Sequence, residues 1–200
     1  TITISRQAGA RGRTIAHELQ KSLNAESPNT YVPWGLFDEN LVQQVLEDND
    51  LPAELEKFMP ESTVSELESS INEILGRHPS LWSLFEKTTS TIVRLSRMGH
   101  CIIVGRAGNV ITHGMRNVLR VRLIGNEVNR IYRMVHAHGM TEKGAKEFVH
   151  DEDVARRKYM KQHFNCDIDD PQTYDLVINT DHISDDCVVN MLIEGTKHLK

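Results

Sequence analysis

The first fifteen residues constrain this chain most. Thr1, Ile2, Thr3 and Ile4 alternate polar and apolar side chains as a strand does, and Ile15, Ala16, Leu19 and Leu23 then recur at helical spacing. The stretch between must turn sharply from strand to helix, and it carries Arg6, Arg11 and Arg13 beside Gly9 and Gly12. A helix N-terminus presents unpaired backbone N–H groups at the positive end of its dipole, which favours an anion. Arginine adds charge and a planar fork that binds phosphate oxygens in pairs. A phosphate is the natural ligand of such a loop, although an ordinary strand–turn–helix with a basic surface loop fits the same residues.

The common phosphate loop reads Gly, four residues, Gly-Lys and then Ser or Thr. With Gly9 taken as an inner glycine, Arg6 stands at the first glycine position, Arg11 at the second and Gly12 at the lysine. Ala10 completes the loop, and Arg13 and Thr14 follow. The bridging lysine is missing, so Arg13 or Arg11 is its nearest replacement.

Two hundred residues with 39% apolar content suit one globular domain. A formal net charge of -5 disfavours general affinity for nucleic acid or anionic membranes. A local basic site in an acidic chain points instead to a small anionic ligand. Cys101, Cys166 and Cys187 lie far apart without a Cys-x-x-Cys pair, which argues against a disulfide framework or zinc site and fits a reducing cytoplasm. The sequence shows no charged–apolar–small leader and no apolar run near the length of a membrane span. A soluble, cytoplasmic protein is expected, preceded by a few residues because the chain starts within a strand.

Further along, Tyr31-Val32-Pro33 suits a short edge strand, and Asp38 a helix N-cap before Leu41, Val42, Val45 and Leu46. Pro52 and Pro60 break residues 49–62. Helical segments are expected over 63–75, where Thr63 and Glu66 resemble a capping box, and over 80–97. Cys101–Gly105 is a continuous apolar run, as for a strand covered on both faces. Val118–Ile124 predicts a less buried strand with Arg120 and Arg122 on one face. Helices follow over 126–134 and from a Thr141 cap to about His163. After an acidic loop, Asp175–Asn179 is the last strand and Ser184 caps a closing helix to about Leu199. Strands alternating with helices predict a parallel α/β sheet.

Ligands of open parallel sheets bind at the carboxyl ends of the strands. Ser5–Arg13, Gly105-Arg106, the residues after Ile124, and Asn179-Thr180 all fall at such ends. Their convergence strengthens the case for a phosphate-handling site.

These residues resemble a family. Ile4–Arg13, Ile103–Arg106, Asn126–Arg133 and Asp170–Thr180 match, in order and spacing, cytidylate kinases and more closely the divergent cytidylate kinase-like group. The resemblance spans nearly the whole chain and is weakest over 25–98. It implies a P-loop kinase fold with a five-stranded parallel sheet flanked by helices. It also implies ATP and Mg²⁺ as cofactors and phosphoryl transfer to a nucleoside monophosphate, CMP above all. Such catalysis is mostly positioning and charge stabilisation. By position the resemblance gives the loop Arg6, Gly9, Ala10, Arg11, Gly12, Arg13 and Thr14 to the ATP phosphates, and Arg106 to the acceptor phosphate. Arg130 and Arg133 match paired arginines beside the donor nucleotide. Arg156 and Arg157 match lid arginines on helices within 135–165, with Asp153 a lid contact and Asp38 part of the acceptor-binding segment.

Two departures stand out. The loop lysine is absent, and Ala107 occupies a position that is Asp in true cytidylate kinases. They keep open a non-catalytic nucleotide or phosphate sensor and a kinase for another metabolite. Plain alternatives also remain for single residues. Arg130 and Arg133 at i, i+3 suit a solvated helix face, and Arg156-Arg157-Lys158 after Asp151-Glu152-Asp153 suits i,i+4 pairing. His136, His138 and His150 lack metal spacing. Asp167, Asp169 and Asp170 lack the glycine and terminal Glu of a calcium loop. No metal site is expected from protein side chains alone, and helices over 63–97 are a possible homo-oligomer surface.

Overall fold

The computed structural model describes residues 1–26, 32–38, 41–43, 45 and 79–199, with backbone alone for 79–83. Expectations for Tyr31, for the helix at 63–75 with its capping box, and for the 63–78 part of a 63–97 surface lie outside these residues.

Strand β1 (Ile2–Arg6) opens the chain and leads into α1 (Gly12–Glu26). Strand β2 (Gly35–Phe37) precedes a long helix, α2 (Pro79–Met98), which delivers the chain to β3 (Cys101–Val104) and a single helical turn, α3 (Gly108–Ile111). Then come β4 (Leu119–Ile124), α4 (Glu127–His138), α5 (Glu142–Phe164), β5 (Leu176–Asn179) and α6 (Asp185–Lys197).

The five strands form one parallel sheet in the order β2-β3-β1-β4-β5. Strand order reverses around β1, which lies between β3 and β4. A crevice therefore opens at its carboxyl end, where the first loop sits.

Alternation along the strands divides the core. Ile2, Ile4, Ile102, Val104, Val121 and Leu123 face α1 and α6, where Ile15, Leu19, Val188 and Leu192 close the layer. Leu19 is wholly buried, so Leu19→Ala is expected to lower unfolding free energy by about 2–5 kcal/mol in urea denaturation. On the opposite face, Cys101 and Ile103 pack with Leu41 and Ile92.

That opposite face turns polar at the centre of the sheet. Thr3 pairs in register with Arg120 and Ser5 with Arg122. The two arginines share a face as the sequence predicts, but Arg122 is buried, at 4% exposure, where a less covered strand was expected. Its guanidinium donates to Ser5 Oγ at 2.8 Å and to Asp169 Oδ1 at 2.6 Å, and its charge lies over the Tyr174 ring. Tyr174 is buried and donates its hydroxyl to Ile168 O at 2.9 Å. Burial pushes its phenol above the usual tyrosine range.

Helix boundaries follow local chemistry. The Asn126 side chain accepts from Val128 N–H, so Asn126 caps α4 and the helix continues past Met134 to Gly139 in the left-handed conformation. Thr141 and Ser184 accept from Gly144 and Cys187 and cap α5 and α6. Asn165, also left-handed, ends α5 directly after Phe164. Among the described residues no helix is long and apolar enough to cross a membrane.

Candidate functional site

The loop between β1 and α1 is held in shape by close neighbours. Gly9 has φ +73°, and a Cβ there would lie 2.7 Å from Arg130 O. Glycine is thus required both by the conformation and by the approach of α4. Gln7 N–H donates to Leu123 O at 3.0 Å, Ala10 N–H closes a turn on Gln7 O at 3.2 Å, and Gln7 Oε1 accepts from Gly125 N–H at 3.0 Å. At Gly12 a Cβ would meet Arg6 Cγ at 2.8 Å, because the stem of Arg6 crosses the start of α1.

The loop arginines diverge. Arg11, itself left-handed at φ 62°, turns back to the last strand: it donates to Thr180 O and, at 2.6 Å, to Ile183 O, and pairs with Asp185 Oδ1 at 2.8 Å. It ties the loop to the start of α6. Arg13 stays on the surface at the head of α1 with Thr14, its side chain 58% exposed, and its Nε lies 3.0 Å from Asp38 Oδ2. The expected acceptor segment and the start of α1 thus meet at this ion pair. Leu41 N–H returns to Asp38 O at 3.2 Å.

A second wall follows β3. Gly105, Arg106 and Ala107 have φ of 77°, 55° and 55°, a left-handed turn closed by Gly108 N–H on Gly105 O at 3.0 Å. Each non-glycine residue in that region costs about 1–2 kcal/mol, and such strain concentrates at functional sites. Gly105 N–H donates to Ile4 O at 2.9 Å, so the turn is fastened to β1. Arg106 is buried here, and Ala107 packs on Tyr159, Met160 and Ile168. A carboxylate in place of Ala107 would be buried in that apolar cluster.

Helix α5 supplies the third side. Ser5, Arg6, Gly105, Asn109 and Arg156 line a small cavity between β1, the strained turn and α5. Arg156 pairs with Glu152 at 2.5 Å, the i,i+4 bond its sequence allows, and lies 3.8 Å from Asp153. Arg157 takes another direction, to Asp169 Oδ2 at 3.3 Å, and does not line that cavity. Asp153 is buried: Oδ1 accepts from Ala8 N–H at 2.8 Å and Oδ2 from Arg130 Nη1 at 2.7 Å.

Arg130 and Arg133 are not on a solvated face. Arg130 is buried and Arg133 half-buried, and both lie against the loop from α4. The structure therefore brings Arg6 and Arg156 to one cavity beside β1, with Arg106 buried in the turn after β3 and Arg13 at the head of α1. It places Arg11, Arg130 and Arg133 behind the loop, and Arg157 aside.

Sequence reading missed Gln7, Arg122 and above all Asp181. The Asp181 carboxylate accepts from Asn126 N–H at 2.7 Å and pairs with Arg133 Nη2 at 3.0 Å. Burial opposes its charge, yet bonds from the Asn126 amide, the Asn129 side chain and Arg133 hold its carboxyl below the usual value of 3.8. Its position directly after the Asn179-Thr180 strand end was the available signal. A lowered folded pKa adds stability that is full above the unfolded value and lost as pH falls through the folded one. Wild-type stability is accordingly expected to drop below about pH 4 more steeply than that of Asp181→Asn, measured by urea midpoints against pH.

His136, His138 and His150 are exposed. No group of three or more His, Cys, Asp or Glu among the described residues is arranged to hold a metal ion.

This architecture is similar to that of known proteins. An uncharacterized protein from Eubacterium ventriosum superimposes with a TM-score of 0.70 at 18% identity, covering 98% of each chain. Shikimate kinase from Bacteroides thetaiotaomicron gives 0.50 at 14% identity, covering 98% of this chain and 97% of that one. A gluconokinase from Sinorhizobium meliloti gives 0.52 at 10% identity, covering 100% and 92%. These likenesses show the P-loop kinase fold. No curated protein sequence matches the chain. The model of the cytidylate kinase-like family matches residues 1–182, and the chain belongs to that family.

Proposed function

We propose that this protein transfers the terminal phosphoryl group of ATP to a nucleoside monophosphate, with CMP the first acceptor to test. One observation carries the reading: a glycine-pinned loop at the reversal point of a parallel sheet faces a strained, arginine-bearing turn across β1. Family membership agrees with it.

The residues fit a phosphorylated nucleotide. The first turn of α1 supplies amides and dipole, Arg13 and Arg6 supply charge at its mouth, and Thr14 supplies a hydroxyl. With no carboxylate cluster among the described residues, Mg²⁺ would be held by the nucleotide's own phosphates together with Thr14. When bound it would neutralise charge on those phosphates.

Arg156, which lines the cavity beside β1, and Arg106, in the strained turn after β3, are proposed to orient the acceptor phosphate and to take up charge as the phosphoryl group moves. Arg13 would turn from Asp38 to meet the donor. The hydrogen bonds of Asp153 keep α5 on the loop and help to exclude water.

The test is initial-rate transfer from ATP–Mg²⁺ to CMP in wild type and Arg13→Ala. Loss of about 100-fold or more in kcat, with an unchanged melting temperature, is the expected result. Unchanged turnover would remove Arg13 from the mechanism. A sensor that binds nucleotide without turnover is the second reading, favoured by Gly12 at the lysine position and by the buried Ala107.

A further inference from the structure

An anion loop is effective only when its amides are aimed in advance, and here the aiming comes from behind. Arg130 Nη1 donates to Ala8 O at 2.9 Å and its Nε to Gly125 O at 3.0 Å. Arg133 Nη1 donates to Gly9 O and its Nη2 to Thr180 O, both at 3.3 Å. Each guanidinium is gripped by its own carboxylate, Asp153 at 2.7 Å and Asp181 at 3.0 Å. Each carboxylate also holds a main-chain amide, Ala8 N–H for Asp153 and Asn126 N–H for Asp181.

In a trans peptide the N–H points opposite to its C=O. Fixing Ala8 O and Gly9 O against α4 therefore turns the next amides away from α4. Ala10 N–H then closes the Gln7 turn that leads into α1. Arg130 Nε and Nη1 and Arg133 Nη1 and Nη2 are engaged by carbonyls and carboxylates.

We propose that Arg130 and Arg133, each anchored by a carboxylate, are positioning residues that set the backbone of the anion loop without touching phosphate themselves. The proposal rests on the reading of that loop as a polyphosphate site. It has a consequence of unusual sign. Coulomb's law alone makes Asp181 a hindrance to a nearby anion, so neutralising it should tighten binding. A positioning role makes Asp181 a promoter of anion binding, so neutralising it weakens binding.

The experiment is calorimetric titration of the full chain with inorganic tripolyphosphate, for wild type, Arg133→Lys, Arg133→Met and Asp181→Asn, with melting curves to verify folding. All three variants are expected to bind about tenfold more weakly, the equivalent of one lost hydrogen bond to a charged group. Lysine should not rescue, because a point charge cannot span two carbonyls as the fork does. The salt dependence of the affinity should be the same in Arg133→Met as in wild type, since no ionic contact to the ligand is lost.

Rescue by lysine with loss in Met, tighter binding in Asp181→Asn, or a shallower salt dependence in Arg133→Met would each overturn the proposal and make Arg133 a direct ligand. Arg133→Lys and Asp181→Asn preserve size and carry the test if Arg133→Met does not fold. Absence of tripolyphosphate binding in wild type would overturn it outright. Binding with the expected variant pattern but no phosphoryl transfer would uphold it while rejecting the kinase reading.

Discussion

Arg130→Met is expected to lower unfolding free energy by about 3–5 kcal/mol, because it takes from a buried carboxylate its hydrogen-bonded charge partner and leaves Arg156 at 3.8 Å. The side chains of Arg130 and Asp153 are only 7% and 8% exposed and meet at 2.7 Å. The substitution also orphans Ala8 O and Gly125 O, two carbonyls that Arg130 satisfies. Removing both charges, in Arg130→Met with Asp153→Leu, should recover a large part of the loss, since no lone charge then stays buried. Urea denaturation of the two single variants and the double variant checks this. A loss below about 1 kcal/mol in Arg130→Met would mean that the pair is solvated, as surface pairs are.

Gly9→Ala is the second large effect, expected at about 2–4 kcal/mol. A left-handed φ of +73° accounts for about 1–2 kcal/mol of strain for a residue bearing a Cβ. The rest comes from overlap: the added Cβ would sit 2.7 Å from Arg130 O, a backbone atom that can move only with α4. Gly139 also has positive φ, but a Cβ there meets nothing within 4 Å, so Gly139→Ala should show the conformational cost alone. The difference between the two variants isolates the contact between loop and helix. Equal losses would show that α4 gives way without cost.

Most of the fold could be read from periodicity. Ile2 and Ile4 alternate, Ile15 and Leu19 repeat at helical spacing, and Thr141 and Ser184 announce helix starts, because each pattern is local and the structure merely buries it. The buried Arg122 could not be read this way. Its place depends on register with Ser5 and on Asp169, forty-seven residues later in sequence, and such pairings leave no local trace.

The site was legible as a list of residues and not as a set of roles. Arg6 at the end of β1 and Arg156 on α5 line one cavity, and Arg106 is buried in the turn after β3. Arg11, Arg130 and Arg133 look identical in sequence yet face backbone carbonyls, a distinction made by side-chain direction alone. Arg156 and Arg157 show the same point: neighbours on one helix differ by about 100° in direction, and only Arg156 reaches the cavity beside β1. Gly9 was read as a phosphate-loop glycine, and its lack of a side chain also serves the approach of α4.

The most direct measurement is phosphoryl transfer from ATP–Mg²⁺ across a panel of nucleoside monophosphates and small alcohols, with ATP binding followed in parallel. Saturable binding with turnover of CMP or another nucleoside monophosphate is the predicted result, and would show that arginine replaces the missing lysine. Binding without transfer to any acceptor would make the loop a sensor. A chain that neither binds nor turns over ATP would contradict the account: the loop would then be inherited architecture with no part in phosphate chemistry.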